Sequence, residues 1–112
     1  MKTLLLILWG FQWSHQMVQP NQVEKLLEQN IRVVDVRTPE EFSAGALPNA
    51  ENVSVTSLSF LSEIGDYAKD EPILVYCKMG SRSARAVLIM KTLGFQNIYE
   101  LEGGYVAWKD QP

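Results

Sequence analysis

The sequence predicts an α/β domain in which a mostly parallel sheet is flanked by helices on both faces. Two observations carry this prediction. Short apolar runs, most of them β-branched, recur along the chain, and a segment with helical spacing or a helix-capping pattern separates each run from the next. Strands that alternate with helices in this way pair in parallel and bury both sheet faces. The 112 residues suffice for one such domain and are too few for two.

The first predicted helix and strand lie at residues 21–30 and 31–36. Val23, Leu26 and Leu27 fall on one face of a helix built from the first of these segments. The second segment is β-branched and mostly apolar, which predicts a buried strand.

The second predicted helix, residues 38–45, begins with a capping pattern. Thr38 is placed to cap the first turn, Pro39 suits the first helical position, and Glu41 completes a capping box. A short strand is predicted to follow at residues 51–55.

The third predicted helix spans residues 57–65, because Leu58, Leu61 and Ile64 recur at helical spacing. Residues 72–77 form the most strand-like run of the chain, since five of its six residues are apolar.

The fourth predicted helix, residues 81–94, is expected to turn Ala84, Val87 and Leu88 inward and to end at Gly94. A last strand and a last short helix are predicted at residues 97–101 and 103–111.

The first 16 residues are typical of a targeting segment. Lys2 precedes an apolar run, residues 4–11, that is far shorter than the ~20 residues needed to span a bilayer. We therefore predict a signal peptide or N-terminal anchor at residues 1–16, a domain at 17–112 and no stable membrane span. This division predicts a periplasmic or secreted protein. The alternative is a cytoplasmic protein whose first residues form the first strand or helix of the domain.

Composition narrows the classes of ligand. The net charge of −3 and the sequence pI of about 5.1 argue against nucleic acid as a partner, because phosphate binding needs a basic face. Cys77 and His15 are the only residues of their types, so a disulfide framework and a multi-cysteine metal site are excluded. No metal and no cofactor are predicted. His15 is interpreted as a polar residue following the targeting segment, and a Cys–His catalytic pair is disfavoured.

Cys77 ends the run 72–77 and precedes the helix 81–94, which places it at the carboxyl end of a predicted parallel strand, where sites of such sheets lie. Gly80 permits an unusual backbone turn between them. The first N–H groups of the helix lack intrahelical partners and, with the helix dipole, form a cradle for an anion. A cysteine in such a cradle is expected to be a thiolate, the reactive form of the side chain.

The side chains around Cys77 add charge and hydrogen-bonding groups. Lys78, Arg82 and Arg85 are basic, and the hydroxyls of Ser81 and Ser83 can cap or donate. A lone cysteine at the end of an apolar strand is more often a small buried hydrophobe. This concentration of polar residues instead favours a nucleophile that acts on an anionic substrate.

Three stretches together resemble the single-domain rhodaneses, a family of sulfurtransferases. These are "VVDVRTPEEFSAGALPNAENV" at 33–53, "VYCKMGSRS" at 75–83 and "LEGGYVAWK" at 101–109. They resemble the first signature, the C-x-x-G-x-R-S active-site loop and the closing L-x-G-G-x-x-x-W motif of that family. Their order and spacing extend the resemblance from residue 17 to the C-terminus.

The resemblance implies a rhodanese-like fold with a five-stranded sheet, and it implies a sulfur-transfer cycle at Cys77. In that cycle the cysteine takes a sulfur atom from thiosulfate, a persulfide or a polysulfide and passes it to cyanide or a thiol, including a protein thiol. The donor and the persulfide would be held by the loop that follows, Lys78, Met79, Gly80, Ser81, Arg82 and Ser83. Asp35 and Arg37 are expected to form an ion-pair network beside the site.

The chain departs from the family pattern at two positions of the first signature. Ala46 stands where a histidine is usual, and Asn49 stands where glycine is usual. Asparagine tolerates a positive φ better than most residues, so the turn at Asn49 is expected to survive.

Two other functions stay open at this stage. A cysteine phosphatase would need a C-x5-R loop, whereas four residues separate Cys77 from Arg82. A non-catalytic rhodanese-like carrier or binding module would typically lack the cysteine. Sulfur transfer is therefore the preferred function, and the oligomeric state is not predicted.

Overall fold

A computed structural model describes residues 14–112, which form one sheet of five parallel strands in the order β1-β5-β4-β2-β3. The strands are β1 (Ser14–Val18), β2 (Arg32–Asp35), β3 (Glu51–Asn52), β4 (Ile73–Tyr76) and β5 (Asn97–Leu101). The predicted α/β class and the five-stranded sheet are confirmed.

Within residues 14–112, four α-helices and one short 3-10 turn lie between the strands, and a fifth α-helix follows the last strand. They are the turn Pro20–Gln22, α1 (Val23–Glu28), α2 (Pro39–Ser43), α3 (Phe60–Gly65), α4 (Ser81–Thr92) and α5 (Gly104–Lys109). The capping box predicted for α2 is present: the Glu41 amide donates to the Thr38 hydroxyl, and the Glu41 carboxylate accepts from the Thr38 amide.

The sheet separates two hydrophobic cores. Side chains of α3 and α4, including Phe60, Ile64, Val87 and Met90, pack on one face. Val23 and Leu26 of α1, with Tyr105 and Trp108 of α5, pack on the other. Because helices cover both faces, every residue of β4 is buried, which explains its continuous apolar sequence.

The buried face of α4 differs from the predicted one. Leu88 is 64% exposed and Ala84 is also exposed, whereas Val87 is buried as expected. The inward stripe includes Ser83, which is fully buried. A polar residue occupies this core position because its hydroxyl hydrogen-bonds to buried groups, and hydrophobic periodicity alone could not indicate this.

The prediction for α3 was partly wrong: Ile64 is buried as predicted, but the start of the helix and the other two inward residues are not as predicted. Leu58 and Leu61 are exposed, and the helix begins at Phe60 rather than at residue 57. Phe60 and Ile64, one turn apart, form its buried face.

Strand β1 begins at Ser14, so the predicted domain boundary between residues 16 and 17 lies inside a strand. β1 pairs along its whole length with β5, from Ser14 beside Asn97 to Val18 beside Leu101. β1 forms an edge of the sheet, and four of its five residues keep some exposure. Its sequence, SHQMV, is therefore mostly polar and shows no strand pattern. Residues 1–13, which hold most of the predicted targeting segment, lie outside the described residues.

Two further observations concern the turn at Asn49 and the length of the helices. Asn49 adopts a φ of +62°, which confirms that asparagine sustains this turn. Among the helices of residues 14–112, none is long and apolar enough to cross a membrane.

Candidate active site

Cys77 directly follows β4 and is 1% exposed. Its sulfur faces the start of α4, where the Gly80 amide donates a hydrogen bond to Sγ at 3.1 Å and the Ser83 hydroxyl lies 3.5 Å from Sγ. Gly80 precedes the helix with a φ of +134°, a conformation that residues with a Cβ rarely adopt. The loop thus curls its amides towards the sulfur.

Two opposed effects act on the Cys77 thiol. Burial raises its pKa, because a buried thiolate loses hydration. Hydrogen bonds from the Ser83 hydroxyl and from the backbone amides of Ser83, Gly80 and Met79 outweigh burial, and the net pKa of Cys77 is lowered from its ordinary value. The site therefore favours the nucleophilic form of the cysteine.

The beginning of α5 supports the loop from behind. The Tyr105 amide donates to the Cys77 carbonyl at 2.8 Å, and the Val106 amide donates to the Lys78 carbonyl at 3.1 Å. With both carbonyls bound on this side, the loop amides are free to face the sulfur. A Cβ on Gly104, whose φ is +62°, would lie 2.5–2.6 Å from these two carbonyl oxygens. The sequence placed this glycine in the predicted helix 103–111 and did not indicate the contact, since the approach of α5 to the loop is a tertiary contact.

Arg82 forms an ion pair with Glu41 of α2. Its Nη1 and Nη2 lie 2.6 and 3.0 Å from the two carboxylate oxygens. The same carboxylate accepts the Thr38 amide, and these interactions lower the pKa of Glu41 to about 2, with the Arg82 hydrogen bond as the largest cause. The pair joins the active-site loop to the neighbouring strand–helix unit.

Asp35 and Arg37 form a buried ion pair at the end of β2. The Arg37 Nη2 lies 2.6 Å from Asp35 Oδ2 and 2.6 Å from the Gly45 carbonyl oxygen. The guanidinium carbon lies 4.3 Å from the centre of the Tyr105 ring. Burial opposes the charge of Arg37, but Asp35 outweighs it, so the pKa of Arg37 is raised. Arg37 thus packs on the helix that binds the Cys77 carbonyl.

A cleft of about 380 Å³ opens beside the loop. Its lining residues are Arg37, Glu41, Ala44, Lys78, Tyr105, Val106, Lys109 and Asp110. Three of the eight are basic and two, Glu41 and Asp110, are acidic, so the cleft offers a small excess of positive charge next to the loop. Cys77 itself is buried and is not among the lining residues.

The predicted site residues fall into four groups. Cys77, Gly80 and Ser83 meet at the sulfur, whereas Lys78 and Met79 point outward and are exposed. Ser81 and Arg85 are exposed on the first turns of α4. Arg82, Asp35 and Arg37 make the ion pairs described above. Within residues 14–112 no cluster of three or more histidine, cysteine, aspartate or glutamate residues could hold a metal ion.

The site contains two side chains that the sequence did not indicate. Glu100 of β5 is 3% exposed and accepts a hydrogen bond from the Ser83 hydroxyl at 2.9 Å. Its other carboxylate oxygen lies 2.9 Å from Nε2 of His15 in β1. A carboxylate inside an otherwise mostly apolar strand was the available signal for Glu100. Nothing local marked His15, because the β1–β5 pairing brings it there across 85 residues of sequence.

Fold and site together define a parallel α/β protein with a cysteine held in an amide-lined loop at the end of a strand. The family model of the rhodanese-like domain matches residues 19–111. The chain belongs to the rhodanese-like domain family.

Individual relatives agree with this assignment. The thiosulfate sulfurtransferase GlpE of Pseudomonas aeruginosa is 31% identical over 96 residues, which is 86% of each chain. The crystal structure of a rhodanese-like domain protein from Staphylococcus aureus is similar with a TM-score of 0.75 and 28% identity, over 86% of this chain and 93% of that one. The human single-domain sulfurtransferase TSTD1 is similar with a TM-score of 0.73 and 25% identity, over 86% and 96% of the two chains.

Proposed function

We propose that this protein is a sulfurtransferase that carries sulfur as a persulfide on Cys77. The thiolate attacks the outer sulfur of an anionic donor such as thiosulfate. A bond forms between Sγ and that sulfur, the sulfur–sulfur bond of the donor breaks, and its electron pair leaves on sulfite. A persulfide or polysulfide donor would react in the same way, with a thiolate or shorter polysulfide as the leaving group.

The second half of the cycle returns the cysteine to its starting form. A thiophilic acceptor, cyanide or a small-molecule or protein thiolate, attacks the terminal sulfur of the persulfide. The new bond forms to the acceptor, the bond to Sγ breaks, and the Cys77 thiolate leaves. Hydrogen bonds that lower the pKa of Cys77 also make its thiolate a better leaving group in this step.

One observation carries the proposal: the sulfur of Cys77 lies against the amides of its own loop, 3.1 Å from the nearest, that of Gly80. Such amides stabilise negative charge on the thiolate, on the persulfide that replaces it and on the donor as it departs. Lys78 and Lys109, which line the cleft beside the loop, would attract that donor. The names of the relatives, thiosulfate sulfurtransferase and single-domain sulfurtransferase, support the same chemistry.

Intact-mass measurement after thiosulfate treatment tests the first half-reaction. The wild-type protein should gain the mass of one sulfur atom, and the gain should disappear on adding cyanide as thiocyanate is released. Cys77→Ser is the control, because it keeps the size of the side chain and removes the only thiol. A folded wild-type protein that neither gains sulfur nor forms thiocyanate would overturn the proposal and favour a non-catalytic binding module.

A cysteine phosphatase is less compatible with the loop. Only four residues separate Cys77 from Arg82, and the Arg82 guanidinium is committed to Glu41 and so unavailable for a phosphoryl group. We expect no turnover of an aryl phosphate. Robust hydrolysis that is lost in Cys77→Ser would reverse this conclusion.

We also propose that the N-terminal segment predicted at residues 1–16 is a signal peptide or anchor and that the protein is periplasmic or secreted. The support is the charged start and short apolar run of the sequence. Cleavage before Ser14 would keep all of the described strand β1, Ser14–Val18, in the protein. N-terminal sequencing of protein from fractionated cells provides the test, and an intact Met1 in the cytosolic fraction would refute the proposal.

A further inference from the structure

A chain of hydrogen-bonded side chains runs from Cys77 to the edge of the sheet. Ser83 lies 3.5 Å from the cysteine sulfur, Glu100 lies 2.9 Å from Ser83, and His15 lies 2.9 Å from Glu100. The first three residues are at most 3% exposed, whereas 22% of the His15 side chain is exposed. The buried end of the chain is the proposed nucleophile, and the outer end is the only histidine of the sequence.

The Ser83 hydroxyl has fewer protons than acceptors. Its single hydrogen can go to the Glu100 carboxylate, to the Gly80 carbonyl oxygen at 3.1 Å or to the sulfur. While Cys77 is a thiol, its S–H can donate to Ser83, and Ser83 can donate to Glu100. Once Cys77 is a thiolate, its sulfur and the Glu100 carboxylate both carry negative charge and compete for the single hydroxyl hydrogen of Ser83.

Glu100 therefore opposes the thiolate unless its charge is balanced. Among the residues that the structure describes, His15 is the one basic side chain shown in contact with this carboxylate. The neighbouring strand β4 contributes apolar Val75, and α4 contributes the neutral Ser83. The protonation state of His15 thus determines whether the pair of His15 and Glu100 is neutral overall or carries a net negative charge.

The other charged groups near the loop keep their charge across neutral pH. Arg82 is paired with Glu41 and Arg37 with Asp35, and the pKa of each guanidinium is raised. Histidine is the side chain that changes charge between about pH 5 and 8. Its neutral Nε2–H tautomer still donates to the carboxylate, so the contact persists in both states and only the charge differs.

We propose that His15 and Glu100 are positioning residues that couple the ionisation of Cys77 to that of His15 through Ser83. Protonated His15 neutralises Glu100 and releases the Ser83 hydroxyl towards the sulfur, which favours the thiolate. Neutral His15 leaves a net negative charge on Glu100, which draws the hydroxyl away and disfavours the thiolate. The proton that leaves the Cys77 thiol goes to solvent, the proton that His15 takes up comes from solvent, and no group is oxidised.

This inference rests on the proposed function, because the coupling acts on the cysteine that would carry the sulfur. Its measurements follow ionisation and do not depend on sulfur transfer. Failure of the sulfur-loading experiment with coupling intact would refute the proposed function alone, and the reverse result would refute the coupling alone.

Ultraviolet absorbance of the thiolate, measured against pH and corrected with the Cys77→Ala counterpart of each protein, tests the coupling. His15→Gln should move the midpoint of thiolate formation to higher pH, by about a fivefold change in the acid constant, a typical coupling between sites. Glu100→Gln, which removes the opposing charge with little change of shape, should move the midpoint to lower pH. A merely structural role would not shift the two midpoints in opposite directions.

The double variant and a charge control complete the design. In the Glu100→Gln background, His15→Gln should have no further effect, because the carboxylate that connects them is absent. Glu102→Gln removes an exposed carboxylate two residues along the chain and should leave the midpoint unchanged. Coincident pH curves for wild type and His15→Gln would overturn the proposal, as would a His15→Gln effect that persists without Glu100.

A proton NMR titration tests the same coupling without altering the chain of contacts at Glu100. Since the sequence has one histidine, its imidazole signal is unambiguous in untagged protein. Coupling is reciprocal, so removing the thiol in Cys77→Ala should move the His15 titration to lower pH. A His15 titration that is identical in Cys77→Ala and wild-type protein would overturn the proposal even if another variant failed to fold.

Discussion

The carboxylate of Glu41 and the guanidinium of Arg82 meet through two hydrogen bonds, 2.6 and 3.0 Å long. Glu41 belongs to the third position of α2, and Arg82 belongs to the first turn of α4. The pair therefore fixes the start of the helix behind Cys77 to a neighbouring unit of the sheet. Each side chain is a little over one-quarter exposed, so solvent screens the pair only in part.

We expect Glu41→Gln to lower the free energy of unfolding by about 1 kcal/mol, the range of a partly exposed, two-point ion pair. Glutamine can still serve in the capping box, so the change isolates the pair with Arg82. Urea denaturation measures the loss. Glu40→Gln, at the exposed neighbouring position, is the matched control and should change stability little. Equal losses in the two variants would contradict the assigned role.

The same pair predicts a pH dependence of stability. The pKa of Glu41 is lowered to about 2 in the folded protein, below the ordinary glutamate value of about 4.3. A group with a depressed folded pKa stabilises the fold above its unfolded pKa and loses that contribution as pH falls through the folded pKa. The difference in unfolding free energy between wild type and Glu41→Gln should therefore be full above about pH 4.5 and decline towards pH 2. A constant difference over this interval would argue against the ion pair.

Asp35→Asn should destabilise the protein far more than any exposed pair. It leaves the Arg37 guanidinium buried without its counter-charge, a change that typically costs about 3–5 kcal/mol. Equilibrium urea unfolding again provides the measurement. The double variant Asp35→Asn/Arg37→Met should recover part of the loss, because no buried charge then lacks a partner. A single-variant cost below about 1 kcal/mol would show that the pair is dispensable.

Gly104→Ala should displace the active-site loop. Its Cβ would meet the Cys77 and Lys78 carbonyl oxygens at 2.5–2.6 Å, closer than real Cβ contacts allow. Gly94→Ala is the matched control, because Gly94 also has a positive φ, +96°, but a Cβ there meets nothing within 4 Å.

Backbone strain acts in both variants, so the comparison isolates the contact with the loop. We expect the melting temperature of Gly104→Ala to lie at least about 4 °C below that of Gly94→Ala. Sulfur loading of Cys77 should fall in Gly104→Ala and persist in Gly94→Ala. Equal melting temperatures and equal loading would show that α5 tolerates the methyl group without moving the loop.

Sequence reasoning located most of the fold because most elements carry a local pattern. β4 is uniformly apolar, and α2 begins with a complete capping box, so both were placed to within one or two residues. β1 carried no such pattern. Its residues form a strand because β5 offers an unpaired edge, which is a property of the assembled sheet. The inward face of α4 was misplaced because Ser83 is buried by its hydrogen bonds and not by hydrophobicity.

The sequence by itself determined the class of the domain, the loop that holds Cys77 and the four-residue spacing to Arg82. These features are local: strand and helix periodicity, a glycine before a helix and the helix N-terminus behind it. The tertiary structure decided which residues surround that loop. Glu41, Gly104, Glu100 and His15 come from four other segments, and only the pairing of strands and the packing of helices bring them to the cysteine. Contacts between residues up to 85 positions apart depend on the whole sheet, which no local pattern encodes.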